Sequence, residues 1–345
     1  MPDFKFPDFP DNNKSLLRKY LTEDIFNQLA GLKTSNNFTL EKAIKSGVEN
    51  PDSGVGIYAG DAESYTLFAP IFDPIIEDYH KFTASDSHNS DMKPPEAAWS
   101  NPDKEGKYIL STRIRVGRNL ADMPLGPAIS TAQRNEVENR ASIALMNLPD
   151  ELKGRYYRLS NLSDEERQKL VEDHFLFKSG DRFLESAGLN RDWPEGRGIF
   201  HNTDKTFLVW VNEEDQLRII SMQMGGDIFE VFSRLCKAVD SLSKSMSFLQ
   251  SKHLGYITSC PTNLGTAMRA SVHIKLPKLA DRQDLFKKIT DEHYLQIRGI
   301  HGEHTESAEP IFDISNKRRL GVTEVELIRG LYDGILALIN KEKSF

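Results

Sequence analysis

The chain has 345 residues, 39% of them hydrophobic and 28% charged, with a formal net charge of −7 at pH 7. That length can bury a sizeable core in two domains, and the acidic balance argues against nucleic acid as the main partner. The two cysteines, Cys236 and Cys260, give no disulfide framework and no metal-ligand spacing, and no apolar run reaches membrane-spanning length.

The acidic, proline-broken N-terminus, MPDFKFPDFPDNNK, is not a signal peptide, which together with the free thiols leads us to expect a cytoplasmic protein. The first eighty residues read as short helices led by Ser15, Thr22 and Thr39. Asp61 opens a longer pattern with Tyr65, Phe68, Phe72, Ile75 and Tyr79 on one side, which Pro70 and Pro74 should bend or divide. Between these helices, the loop Ser53-Gly54-Val55-Gly56-Ile57-Tyr58 lets backbone approach a ligand closely, although an interhelix turn gives the same pattern. Residues 86–107, rich in Pro, Ser and Asp, read as a linker between a domain at 1–85 and another at 108–345.

The second domain begins with Tyr108–Val116, whose alternation puts Ser111, Arg113 and Arg115 on one face. Such a pair of guanidinium groups suits polyphosphate oxygens, and a solvated basic edge is the plain alternative. Capping boxes at Ser130/Gln133 and Ser163/Glu166 start two helices, the second running to His174. Two strand-like runs flank Asn212–Asp215, so Glu214 sits at a hairpin turn with Arg218 on the next strand. The amphipathic run 228–242 makes Cys236 a structural thiol. Cys260 stands beside a proline and a turn, ahead of an alternating segment with Arg269, Ser271, His273 and Lys275 on one face. Arg298 and Glu303 lie in a glycine-punctuated stretch with the composition of a mobile lid. A last helix, led by Thr323 and Glu326, packs inward through Ile328, Leu331, Tyr332, Ile335 and Ile339.

Arginines on separate segments, with carboxylates and one thiol, suit phosphoryl transfer, which asks the protein for positioning and charge stabilisation. STRIRVGR at 111–118, EDHFLFK at 172–178, VNEEDQLRIISMQ at 211–223, CPTNLGT at 260–266, MRASVHIKLP at 268–277 and RGIHGEHTES at 298–307 together resemble the phosphagen (guanidino) kinases over almost the whole chain. The stretch at 46–65 and Glu303 resemble the members that phosphorylate free arginine.

The resemblance implies an α+β fold, with a small all-helical N-terminal domain and a larger C-terminal domain in which helices flank an antiparallel sheet. It implies reversible transfer from ATP to L-arginine, giving ADP and phosphoarginine for energy buffering, in a monomer or homodimer. The nucleotide would lie against Arg113, Arg115, Arg218, Arg269, Ser271 and Arg298, with His174 and His273 near the adenosine. Glu214, Cys260 and Glu303 would grip the guanidinium, with the thiol acting as a thiolate, and backbone of 53–58 would hold the carboxylate. Mg2+ would bind through the nucleotide's phosphates, with no protein metal site. A kinase of taurocyamine or lombricine is the alternative; a protein-arginine kinase and a non-catalytic guanidino or nucleotide sensor are more distant ones. Val116, Met224 and His301 depart from the family's common cysteine, lysine and arginine.

Overall fold

The computed structural model describes residues 4–97, 99–172, 175–177, 180–299 and 310–345. The N-terminal helices are α1 (Leu16–Tyr20), α2 (Glu23–Leu29), α3 (Leu40–Glu49), α4 (Ser64–Leu67) and α5 (Ala69–His80). The first three begin where a hydroxyl can satisfy a free amide. Ser15 accepts from Arg18 N, Thr22 from Ile25 N and Thr39 from Lys42 N, contacts worth about 1 kcal/mol each. The helical pattern after Asp61 is divided at Phe68 (φ −102°, ψ 23°). Pro70 falls in the first turn of α5, where its missing N–H costs little, and Pro74 lies inside α5 without ending it. Leu17, Phe26, Phe38, Phe72 and Ile75 form a core that also takes in Leu254, Ile257, Leu264 and Leu320. The helical unit is thus packed on the rest of the chain.

The remaining elements, in order, are β1 (Ile109–Arg118), α6 (Thr131–Met146), β2 (Gly154–Arg158), α7 (Asp164–Glu172), α8 (Arg182–Ser186), β3 (Gly198–Asn202), β4 (Phe207–Val211), β5 (Leu217–Met224) and α9 (Ile228–Ser243). They continue with β6 (Gln250–Ser251), β7 (Gly255–Tyr256), β8 (Met268–Lys275), α10 (Pro277–Ala280), α11 (Gln283–Glu292), β9 (Leu295–Gly299), β10 (Ile311–Asn316) and α12 (Glu324–Lys343). Eight strands pair in the order β2-β3-β4-β5-β1-β8-β10-β9, antiparallel throughout. Period-2 alternation decides the two faces. Ile114, Val116, Ile219 and Val272 bury against Val137 of α6, Phe232 of α9 and Ile335 of α12. On the opposite face, Ile199, Leu208, Trp210 and Ile220 are covered by Leu159, Leu176 and Phe177 at the β2 end only. The other half of that face carries the charged side chains. The architecture is the α+β one expected, a small helical unit beside a large antiparallel sheet backed by helices.

Between His80 and Ile109 the described residues contain no helix or strand, yet the segment is tied down. Gly321 N donates to His88 Nδ1, Ser90 Oγ and Asp91 N donate to the Glu324 carboxylate, and the Asp103 carboxylate accepts from the amides of Lys107, Tyr108 and Ile109. Polar composition signals lack of regular structure, and here those polar groups fix the strap to α12 and β1.

Candidate active site

The register of the central strands brings the arginines together. Gly117 lies opposite Arg218, Arg115 opposite Arg269, Arg113 opposite Ser271 and Ser111 opposite His273. Asp313 faces His273 on one side and Arg298 on the other. All these side chains fall on the half-covered face. Arg269 is ion-paired with Asp313, whereas neither Arg113 nor Arg115 has an acidic partner among the described residues. The Arg113 and Arg218 guanidinium groups each lie 5.6 Å from the centre of the Trp210 ring. Burial and the neighbouring Arg218 and Arg269 hold Arg113 down at about 10. Burial, Arg218, Arg113 and Arg269 hold Arg115 well below the usual arginine range. An anion among them would relieve both the repulsion and the missing hydrogen bonds, including that of the buried Arg113 Nε.

The β4–β5 turn supplies the carboxylates. Asn212 takes a left-handed conformation (φ 58°), and its side-chain amide donates to Gly196 O at 2.7 Å, so the turn is locked. Arg218 then reaches back, with Nη1 on Glu213 at 2.9 Å and Nη2 on Glu214 at 3.0 Å. Burial raises the Glu214 carboxyl to about 7, and Asp215 and Glu213 push the same way against the pull of Arg218. Asp215 is structural: its Oδ1 accepts from Asn119 Nδ2 at 2.8 Å and Ser259 N at 2.9 Å. Those bonds tie the hairpin to the segment carrying Cys260.

The same segment is gripped from the helical unit. Tyr65 OH donates to Thr258 O, Ala59 N donates to Ser259 O, and His80 Nε2 lies 2.8 Å from Pro261 O. Cys260 therefore stands at the seam, packed against Tyr58 and Leu189, with Sγ 3.1 Å from Thr262 Oγ1. The thiolate expectation is reversed for the free protein. Burial pushes the Cys260 thiol up to about 12, and the adjacent Glu214 carboxylate adds to the effect. A bound cation would oppose both causes, as the hydrogen bonds from Thr262 already do in part.

A cleft of about 480 Å³ runs from the loop Ser53, Gly54, Val55, Gly56 and Tyr58 to Glu213, Glu214, Arg218 and Cys260. A smaller one, about 40 Å³, is lined by Arg115, Arg218, Arg269 and Arg319 with Glu214 and Asn263. Glu214 and Arg218 border both. In the loop, Ser53 N donates to Asn50 O and Tyr58 N to Ala43 O, while the carbonyls of Gly54, Val55 and Gly56 accept from Leu16, Leu17 and Gly47. The N–H groups of Gly54, Val55, Gly56 and Ile57 have no partner among the described residues. Those amides, and not those of Ser53 or Tyr58, are free to bind an anion. Gly56 has φ +81°, and a Cβ there would meet Gly47 Cα at 3.0 Å, so any other residue would be strained.

His174 and Glu303 lie outside the described residues, as does His301. Arg298 is exposed on edge strand β9, and Ser271 and His273 line the charged face beside it. Of the departures, Val116 buries its side chain in the main core and Met224 is 78% exposed at a strand end. Sequence reading missed Glu213, Arg319, Thr262 and Asp181. Glu213 was visible as the neighbour of Glu214, and Thr262 as the hydroxyl two residues after Cys260. Arg319 and Asp181 sit in irregular segments where no periodicity shows which way a side chain points.

Residues 11–77 match the model of the ATP:guanido phosphotransferase N-terminal domain, and residues 136–345 match that of the ATP:guanido phosphotransferase C-terminal catalytic domain. The chain belongs to the ATP:guanidino phosphotransferases, the phosphagen kinase family. Among its relatives, arginine kinase of Penaeus japonicus is 56% identical over 96% of this chain and 93% of its own. Arginine kinase Scy s 2 of Scylla serrata is 54% identical over the same shares. Among solved structures, the substrate-free duplicated taurocyamine kinase from Schistosoma mansoni superposes with a TM-score of 0.91 at 44% identity, covering 96% of this chain and 47% of that one. A lombricine kinase gives 0.90 at 37% identity, covering 99% and 94%.

Proposed function

We propose that the protein is an arginine kinase, catalysing ATP plus L-arginine to ADP plus phosphoarginine, reversibly. The observation that carries the reading is the meeting of two clefts at Glu214 and Arg218. One offers free backbone amides for a carboxylate at one end and acids with a thiol for a guanidinium at the other. The second offers arginines for a polyphosphate. Transfer is direct and in line: a guanidino nitrogen bonds to the γ-phosphorus as the bond to the β,γ-bridging oxygen breaks, and the nitrogen's proton passes to Glu214. A carboxyl raised toward neutrality is suited to that role. Arg115, Arg218 and Arg269 stabilise the charge that develops on the transferring group, and holding both substrates together supplies up to about 7–11 kcal/mol of the barrier.

Magnesium would come to this site with the nucleotide, held through its phosphates, because the charged side chains lining the smaller cleft are mainly arginines. Bound there, it would neutralise phosphate charge. Glu303 is the second guanidinium carboxylate in this reading, and His174 and His273 are assigned to the adenosine. The reading keeps domains at 1–85 and 108–345 with a linker at 86–107, in a cytoplasmic monomer or homodimer. The unpaired Cys236 and Cys260 agree with a reducing compartment. No helix among the described residues is long and apolar enough to cross a membrane.

ADP release measured by a coupled assay across L-arginine, taurocyamine, lombricine, glycocyamine and creatine tests the substrate. L-Arginine is expected to give the highest kcat/KM. A higher value for taurocyamine or lombricine leaves the family standing and overturns arginine.

A further inference from the structure

In the substrate reading above, the carboxylate and guanidinium of the amino acid have partners and the α-ammonium group has none. Both α-substituents sit on one carbon, so an ammonium must lie beside whatever holds the carboxylate. The free amides of Gly54, Val55 and Gly56 put that carbon at the loop end of the cleft.

The wall facing the loop there is the start of α8, and it is bolted to the loop's own base. Ser46 Oγ donates to Phe183 O at 2.9 Å, Arg182 Nη1 donates to Asn50 Oδ1 at 3.1 Å, and Asn50 Nδ2 donates to Ser186 Oγ at 3.1 Å. Arg182 is also ion-paired with Asp52, so it is not free to neutralise its neighbour. That neighbour, Asp181, lines the cleft and caps α8 through one oxygen only, with Oδ1 accepting from Phe183 N at 2.9 Å and Leu184 N at 3.2 Å. Its second oxygen has no partner, and no cation pairs with it, among the described residues. The other acids of the cleft, Glu213 and Glu214, are held by Arg218 at the opposite end.

We infer that Asp181 is a specificity-determining residue that receives the α-ammonium group, so the cleft distinguishes an amino acid from a plain guanidino acid. The inference rests on the arginine reading. It is tested on the full chain by comparing kcat/KM for L-arginine with that for 5-guanidinopentanoate, which has the same length and lacks the ammonium. Asp181→Asn removes the charge and keeps a helix-capping side chain, and Asp181→Ser provides a second capping variant if the first folds poorly. Asp181 is exposed at the mouth, which sets the expected size: the preference for L-arginine falls about three- to ten-fold. The loss should come through KM for L-arginine, with 5-guanidinopentanoate unaffected. A folded variant that keeps the wild-type preference overturns the assignment while arginine stands. A wild-type protein that does not use L-arginine overturns both.

Discussion

Arg218→Ala removes two things at once, and a second substitution can separate them. Arg218 lies in the shared wall of the two clefts and is also the counter-ion of the half-buried Glu213 and Glu214 at 2.9 and 3.0 Å. Loss of one charge-stabilising group at a reacting centre costs about 10²–10³ in rate. Stranding these half-buried carboxylates costs less stability than breaking a fully buried pair, which costs about 3–5 kcal/mol, because water still reaches them. The stability cost has a definite pH dependence. Burial already sets the folded Glu214 pKa above its unfolded value, and Arg218 is the group that opposes this. Without the arginine, the folded protein binds a proton that the unfolded chain has released. Stability therefore falls as pH rises above the ordinary glutamate pKa of about 4.3. The deficit against wild type should be larger at pH 8 than at pH 5. Adding Glu213→Gln removes one stranded charge, so Arg218→Ala/Glu213→Gln should regain a large part of the stability and none of the turnover. Urea unfolding followed by tryptophan fluorescence gives the first quantity, with Trp210 over Arg218 as a local reporter, and coupled ADP release gives the second. Wild-type-like turnover in folded Arg218→Ala would falsify the catalytic assignment. A deficit that does not change with pH would remove the counter-ion argument.

The acid limb of the kcat/KM profile should report the raised Glu214, with an apparent pKa near 7 in the free enzyme and activity lost below it. Glu214→Gln should abolish that limb and lower kcat about 10²–10⁴-fold, and an unchanged limb would assign the base elsewhere. Cys260, pushed up to about 12, should alkylate slowly with iodoacetamide at pH 7.5, its rate still climbing above pH 9; fast labelling at neutral pH would contradict the burial argument. Gly56→Ala meets Gly47 backbone at 3.0 Å in a left-handed conformation, so KM for the guanidino substrate should rise several-fold while the Kd for ADP stays within about two-fold. An equal loss of ADP affinity would show that the loop acts on the whole fold.

What the sequence determined by itself was everything that depends on period and local chemistry. Alternation in 109–118 and 268–275 put Arg113, Arg115, Arg269 and His273 on one face, because successive strand residues point to opposite sides whatever the partner strand. Caps at Ser15, Thr22, Thr39, Ser130 and Thr323 marked helix starts, because the bond that starts the helix spans three residues. The motifs carried the family. Only the tertiary structure decided which of these groups meet. Strand register set Arg115 against Arg269 and Gly117 against Arg218, and packing of the helical unit on the Cys260 segment turned two separate loops into one cleft. The protonation of the thiol depends on that packing too: the resemblance implied a thiolate for a cation to grip, whereas burial beside Glu214 pushes the thiol up to about 12 in the free protein. Arg319 stayed invisible for the same reason, since in an irregular segment the direction of a side chain is fixed by distant contacts; Asp181 is held by its own helix cap, and only the packing of α8 on residues 46–52 brings it to the cleft.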